Sequence, residues 1–290
     1  MWIELIFYSA FFSQIWLISY HYPKQILSRM DYILEHCPAD KYAKLYPKGY
    51  EKTLEGKILY KLLNIVILII GLIVFVTFVI ANKRGNIQLE DVSFLPFAYG
   101  MLQAIPFLML EVSAIKQFKL MRNLNAESKR QADLNPRSLF NYVSPLRFFS
   151  AVIMFFVSTY ILFSTNDFVF SAQIATLIGA MLLCNGLFVG LGYVLLHGKR
   201  LDPHQSPEDR HTMTSAVFRS YTSVSILVSV FFIINRCVEH YSIYDWEPLI
   251  NSLYWQSVVL LSTGAMLKLT TLEEVNYEVY RTHIPNNVST

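Results

Sequence analysis

Residues 58–82 read ILYKLLNIVILIIGLIVFVTFVIAN, and this stretch decides the class of fold. Lys61 is its only charged residue. At about 1.5 Å of rise per residue, a helix of this length exceeds the hydrocarbon core of a bilayer, which is about 30 Å thick. Lipid offers the backbone no hydrogen-bond partners, and a helix satisfies its own. The stretch therefore predicts a membrane-spanning helix.

Six further apolar runs of similar length accompany this one. The seven runs are residues 1–20, 58–82, 94–115, 147–165, 171–196, 216–236 and 248–267. Only 16% of the chain is charged and 54% is hydrophobic, whereas a soluble domain averages about 25% charged residues. The sequence predicts an all-α fold, a polytopic bundle of seven transmembrane helices that forms a single domain over residues 1–285.

The loops between these runs alternate in charge. Twenty of the 24 Lys and Arg residues lie in segments 21–57, 114–147, 197–219 and the C-terminal tail. The three intervening loops are short and carry most of their charge as acids. Because basic loops stay in the cytoplasm, this pattern predicts an N-terminus outside and a C-terminus inside. We expect an integral protein of the bacterial inner (plasma) membrane, with anionic lipids at its cytoplasmic face.

The cytoplasmic loops 21–57, 114–146 and 197–215 are predicted to contain helices. Residues 26–34 suit an amphipathic helix, which either lies under the lipid headgroups or docks on a partner, and Pro38 ends it. The third run is predicted to continue as a helix to residue 131, and the last one through 268–282. Residues 286–290 are predicted to be a disordered tail.

Glu111 is the acidic residue that lies deepest within a predicted span. An ionised carboxylate in hydrocarbon is costly, so it must face protein or water, pair, or take up a proton. Lys116, Lys119 and Arg219 are its candidate partners. Glu111 is therefore either part of a proton or cation relay or a paired structural acid near the interface.

Polar and small residues concentrate in the third, fifth and sixth runs, whereas the first, second and fourth resemble generic lipid-facing helices. Arg219, Asn185 and Ser223 join Glu111 as candidates for transport or ion relay, although hydroxyls and arginines at such positions also serve packing and snorkelling. Gly186 and Gly190 form a GxxxG pair. This pair predicts a close helix–helix contact, within one chain or between two chains.

No metal site or cofactor is predicted. His197, His204 and His211 share one loop with three acids and are weak metal-ligand candidates, because their spacing differs from the compact HExxH pattern. The chain also lacks a glycine-rich phosphate loop and a GxSxG motif.

Three functions remain open. The first is a non-catalytic subunit or assembly partner of a membrane complex or homo-oligomer, so that the chain itself or other membrane subunits are its partners. The second is a channel or carrier that uses Glu111 and the polar faces of the third, fifth and sixth spans. The third is a membrane metalloenzyme that uses the loop histidines. The net charge of +3 is too small to suggest a nucleic-acid partner, and we expect no enzymatic activity.

Overall fold

A computed structural model describes residues 2–124, 138–198 and 202–281. Within these ranges all regular elements are helical and no strand occurs. The α-helices are α1 (Trp2–Trp16), α2 (Tyr22–His36), α3 (Tyr50–Lys83), α4 (Leu95–Leu124), α5 (Pro145–Ser164), α6 (Ala172–His197), α7 (Pro207–His240), α8 (Glu247–Val259) and α9 (Ala265–Leu269).

Two π turns join pairs of these helices into longer rods. The π turn Leu17–His21 connects α1 to α2, and the π turn Leu260–Gly264 connects α8 to α9. A π turn closes its hydrogen bonds over five residues and occurs frequently at functional sites. The described chain therefore consists of seven helical rods, of which the first and the last each contain one π turn.

Six of these rods are long and apolar enough to cross a membrane. They are Trp2–His36, Tyr50–Lys83, Glu90–Leu124, Pro145–Ser164, Ala172–His197 and Pro207–His240. The α8–α9 rod is not among them, and it is more polar because it carries Asn251, Ser252 and Gln256. The predicted all-helical membrane fold is confirmed, whereas the count of seven spans and their orientation stay predictions.

Hydrogen bonds between rod ends show which ends of the rods lie together. At one end, Arg29 of α2 donates to Thr270, just after α9, at 3.1 Å. At the other end, Gln173 at the start of α6 donates to Glu239 at the end of α7, at 2.8 Å. We call the first the basic end, which holds residues 24–57, 116–124, 138–147, 202–219 and 268–281; these ranges carry 15 Lys and Arg residues against 11 Asp and Glu residues. The second is the acidic end, which holds residues 84–94, 165–171 and 241–246.

Helix α1 buries one side against its neighbours and leaves the other side open. Phe7, Phe11 and Ile15 are 0% exposed, and Phe7 packs edge-on against Phe78 of α3. On the other side of α1, Trp2, Leu5, Phe12 and Trp16 are 46–77% exposed, so the predicted lipid-facing character of the first span applies to one side of this helix. A helix that is apolar all round gives no sign of which side its neighbours will cover. By contrast, α6 is the least buried of the six long helices, with 11% of its apolar window inside the structure.

Two further sequence predictions differ from the structure. The amphipathic stretch 26–34 is not a separate interfacial helix, because α2 continues α1 through the π turn. The chain also does not remain helical through 268–282. It ends α9 at Leu269 and forms two short 3₁₀ turns, Leu272–Glu274 and Tyr277–Tyr280. Contacts to other elements shape this segment, as described below. The predicted tail 286–290 lies outside the described residues.

Candidate functional site

Four polar side chains meet in the interior between α1 and α4. We call Gln14, Ser19, Tyr99 and Gln103 the amide cluster; their exposed fractions are 0%, 4%, 4% and 2%. Sequence reasoning missed all four, although an uncharged amide within an apolar run was the available signal. A buried amide in a membrane-spanning segment needs a partner, because lipid supplies none.

The two glutamines of the amide cluster bind each other. Gln14 Nε2 donates to Gln103 Oε1 at 3.1 Å and to the Pro96 carbonyl at 3.0 Å. Gln103 Nε2 donates to the Gln14 carbonyl at 3.2 Å and to Ser19 Oγ at 2.9 Å. The cluster therefore connects α1, the following π turn and α4 by direct hydrogen bonds.

Tyr99 extends the amide cluster to α3. Its hydroxyl lies 3.3 Å from Ser19 Oγ and donates to the Ile67 carbonyl at 2.9 Å. The tyrosine ring also occupies the space where a Cβ at Gly71 would lie, so only a glycine fits opposite it. Three rods are thus joined at one level of the bundle.

Local irregularities of two helices place these groups. Ser19 lies within the π turn, five residues after Gln14, and both reach Gln103. In a regular helix residues five apart point in clearly different directions, and the wider π turn brings them together. Pro106 lies inside α4, one turn after Gln103, where it lacks the N–H that a regular helix would use.

A second polar group connects α8 to α1. Gln256 Nε2 donates to the Ala10 carbonyl at 3.0 Å, and Ser13 Oγ donates to Gln256 Oε1 at 2.9 Å. Nearer the acidic end, Asn251 donates to the Ser93 carbonyl at 2.8 Å. The α8–α9 rod can therefore be more polar than the other rods, because its polar side chains bind protein groups and do not face lipid.

The amide cluster is held together by hydrogen bonds between uncharged groups. Amides and a serine hydroxyl carry no charge at physiological pH. Gln14 Oε1 is buried and, among the described residues, has no hydrogen-bond partner. The cluster can fix the packing of three helices.

The structure does not gather the sequence-predicted relay residues into one group. Ser225 of α7 donates to Asn185 Oδ1 of α6, and Tyr221 lies one turn earlier on the same side of α7. We call Tyr221, Ser225 and Asn185 the polar row. At about 100° per residue, Arg219 and Ser223 point away from this row.

Glu111 is exposed and does not bind its predicted partners. Within the described ranges it forms no ion pair with Lys116, Lys119 or Arg219. Arg219 is exposed and Ser223 is half-buried. Other hydroxyls of α7 bind their own helix, as Thr222 does to the Phe218 carbonyl at 2.9 Å. That bond agrees with a packing role for hydroxyls in this helix.

The two glycines of the GxxxG pair face outward. Nothing in the described structure lies within 4 Å of the position of a Cβ at Gly186 or Gly190. The buried side of α6 carries Ile174, Met181 and Gly192, roughly opposite in helical angle. The predicted close contact is therefore not made within the described part of one chain, and a contact between chains stays a prediction.

Arg236 is a buried arginine at the acidic end. It is 8% exposed. Its guanidinium donates to Thr165 Oγ1 at 2.7 Å, to the Thr165 carbonyl at 2.9 Å and to Glu239 at 2.7 Å. Thr165 follows the last residue of α5, so Arg236 caps that helix end and joins α5 to α7.

The C-terminal segment 270–281 crosses the basic end. Tyr280 donates to Asp202, Tyr42 donates to Glu278 at 3.1 Å, and the Asn276 N–H donates to Asp209 at 3.2 Å. Burial raises the pKa of Tyr277 to about 12, and burial together with Asp202 raises the pKa of Tyr280. Both tyrosines thus stay protonated at physiological pH. These contacts hold the segment in two short 3₁₀ turns instead of a continuous α-helix.

The three loop histidines bind different partners. His197 stacks on Tyr193 of its own helix at 4.6 Å, His204 packs against Tyr280 at 6.1 Å, and His211 lies 3.2 Å from the Asn141 carbonyl. The described residues contain no group of three or more His, Cys, Asp or Glu side chains that could hold a metal. Within the described part of the loop, the three histidines are therefore not gathered into one ligand set.

The fold and its interior define the class of this protein. Its six long apolar helices are those of a helical integral membrane protein. No protein-family model, curated protein or solved structure matches the chain.

Proposed function

We propose that the chain is a non-catalytic membrane subunit that assembles, with copies of itself or with other membrane subunits, through the outward side of α6. In this proposal seven rods span the bacterial inner membrane. The N-terminus lies outside, and the basic end lies in the cytoplasm, as the distribution of Lys and Arg favours. The observation that carries the proposal is the open glycine pair on the least buried long helix.

The outward side of α6 has the features of a helix–helix interface. Gly179, Gly186 and Gly190 fall within about 60° of each other around the helix axis, and each is open to its surroundings. Large apolar side chains flank them: Leu183, Leu187 and Val194 are 67%, 58% and 61% exposed. Small residues let two backbones approach closely, and dispersion contacts then stabilise the pair.

We expect the Gly186→Leu/Gly190→Leu variant to dissociate at a protein concentration at least about tenfold higher than the wild type, because two isobutyl groups would hold the helices apart. The particle mass is measured in mild detergent across a dilution series. The matched control is Gly56→Leu, since Gly56 in α3 is also helical and open. A wild-type chain that is monomeric at every concentration, or a glycine variant that assembles normally, would contradict the proposal.

Glu111 supports a second candidate, a proton-coupled carrier or channel. An exposed carboxylate that forms no ion pair among the described residues and lies within a long apolar helix has the features of a site that exchanges protons. The polar row continues from Tyr221 to Asn185 and so offers hydrogen-bonding groups along one side of α7.

For this candidate, Glu111→Gln should lower proton flux into proteoliposomes at least about tenfold, because an amide cannot release a proton. A trapped pH-sensitive dye reports the flux under an imposed membrane potential. Glu90→Gln at the acidic end is the control and should leave the flux unchanged. Equal fluxes for the wild type and the Glu111 variant would exclude Glu111 from transport, while the assembly test is unaffected by this outcome.

A further inference from the structure

An open groove runs along the basic half of α4. It has a volume of about 480 Å³, and its wall is formed by Ile105, Leu108, Met109, Val112 and Ser113. Two lysines, Lys48 and Lys116, complete the lining. The groove is therefore apolar along its length and cationic at one end.

We infer that this groove binds one anionic phospholipid of the cytoplasmic leaflet, with an acyl chain along α4 and the phosphate between Lys48 and Lys116. The inference is independent of the assembly proposed for α6, because the groove involves only α4 and the loop before α3.

The length of the groove fits one leaflet. Ile105 and Lys116 are eleven residues apart, which is about 16 Å along a helix. Half of a hydrocarbon core of about 30 Å has nearly the same depth. A lipid whose phosphate lies at Lys116 would therefore bring its chain terminus close to Ile105, near the bilayer midplane.

Two separate elements bring the lysines together. Lys116 belongs to α4, whereas Lys48 lies in the loop before α3. Gln117 Nε2 donates to the Leu45 carbonyl at 2.9 Å and so holds this loop against α4. In the described part of the chain neither lysine has an acidic partner. Both charges are available to a phosphate, and basic pockets at the cytoplasmic side of membrane helices bind anionic headgroups.

The test compares phosphatidylglycerol with phosphatidylcholine on delipidated full-length protein, with bound lipid counted by native mass spectrometry. We expect Lys48→Gln/Lys116→Gln to weaken phosphatidylglycerol binding about 25-fold, since each lysine near a lipid headgroup contributes about fivefold in affinity. Both side chains are exposed, so the variant should fold normally. The control is Lys52→Gln/Lys268→Gln, which removes the same charge from other exposed positions of the chain.

A second variant distinguishes a lipid from a soluble anion. Val112→Trp fills the groove without changing its charge, and it should also weaken phosphatidylglycerol binding at least about tenfold. The inference is wrong if the control pair loses as much binding as Lys48→Gln/Lys116→Gln, which would show a general charge effect. It is also wrong if Val112→Trp binds normally, or if glycerol phosphate displaces the lipid at equal concentration, since either result would show a site for a free anion.

Discussion

Gln103→Leu should lower the free energy of unfolding by about 2 kcal/mol or more, because it leaves Gln14 and Ser19 without their shared partner inside the bundle. A buried polar group that loses its hydrogen bond costs about 1–3 kcal/mol, whereas single hydrogen bonds between membrane helices average about 0.6 kcal/mol. Three bonds are removed at once here. Reversible unfolding in mixed micelles measures the change.

The control for this prediction is Gln88→Leu, because Gln88 is exposed in the loop before α4. It should change stability by less than about 0.5 kcal/mol. The double variant Gln14→Leu/Gln103→Leu should be less destabilised than the sum of the two single variants, since it removes both members of the pair. Additive effects would mean that the two glutamines do not stabilise the bundle through each other.

The second large effect is expected at Arg236. Arg236→Met should destabilise the protein by about 2–3 kcal/mol, because Thr165 then loses both bonds that cap α5 and Glu239 loses its ion-pair partner. Glu239 is 41% exposed, so solvent screens the ion pair and the contacts to Thr165 contribute most of the effect. Thermal unfolding of the purified protein measures the loss.

Arg219→Met is the matched control, since Arg219 lies on the same helix, is exposed and forms no ion pair within the described ranges. It should leave the unfolding temperature nearly unchanged. Arg236→Lys should be intermediate, because an ammonium keeps the charge but lacks the planar fork that reaches Thr165 and Glu239 together. If Arg236→Met and Arg219→Met change the unfolding temperature equally, Arg236 does not stabilise the protein by joining α5 to α7.

Helix positions were largely predictable from local chemistry. Proline and serine mark several starts: Ser144 accepts from the Arg147 N–H before α5, and Ser206 accepts from the Asp209 N–H before α7. The polar residues before the apolar runs were harder to place, and α3 and α7 begin at Tyr50 and Pro207, well before the runs 58–82 and 216–236. An apolar run marks only the part of a helix that lies within the hydrocarbon core. The helix itself can extend beyond the core, because its backbone hydrogen bonds form equally well there.

The amide cluster was not predicted from the sequence, and the polar row was predicted only in part. Asn185 was a candidate on the sequence, whereas its hydrogen bond from Ser225 was not predicted. Lys116, Lys119 and Arg219 were considered as partners of Glu111, but the described structure shows no such pair. Sequence spacing gives the side of a helix on which a residue lies, but not which neighbouring helix faces that side.

The sequence by itself determined that the chain is helical, that most of its helices suit a membrane, and that its charge divides between two ends. Those properties depend on composition and on the spacing of residues within one segment, and both can be read from the sequence. Only the tertiary structure decided which side of α1 is buried, that Gln14 meets Gln103, and that Gly186 and Gly190 face outward. In lipid no hydrophobic effect sorts apolar faces into inside and outside. Close packing and buried hydrogen bonds between residues far apart in the chain decide the arrangement instead.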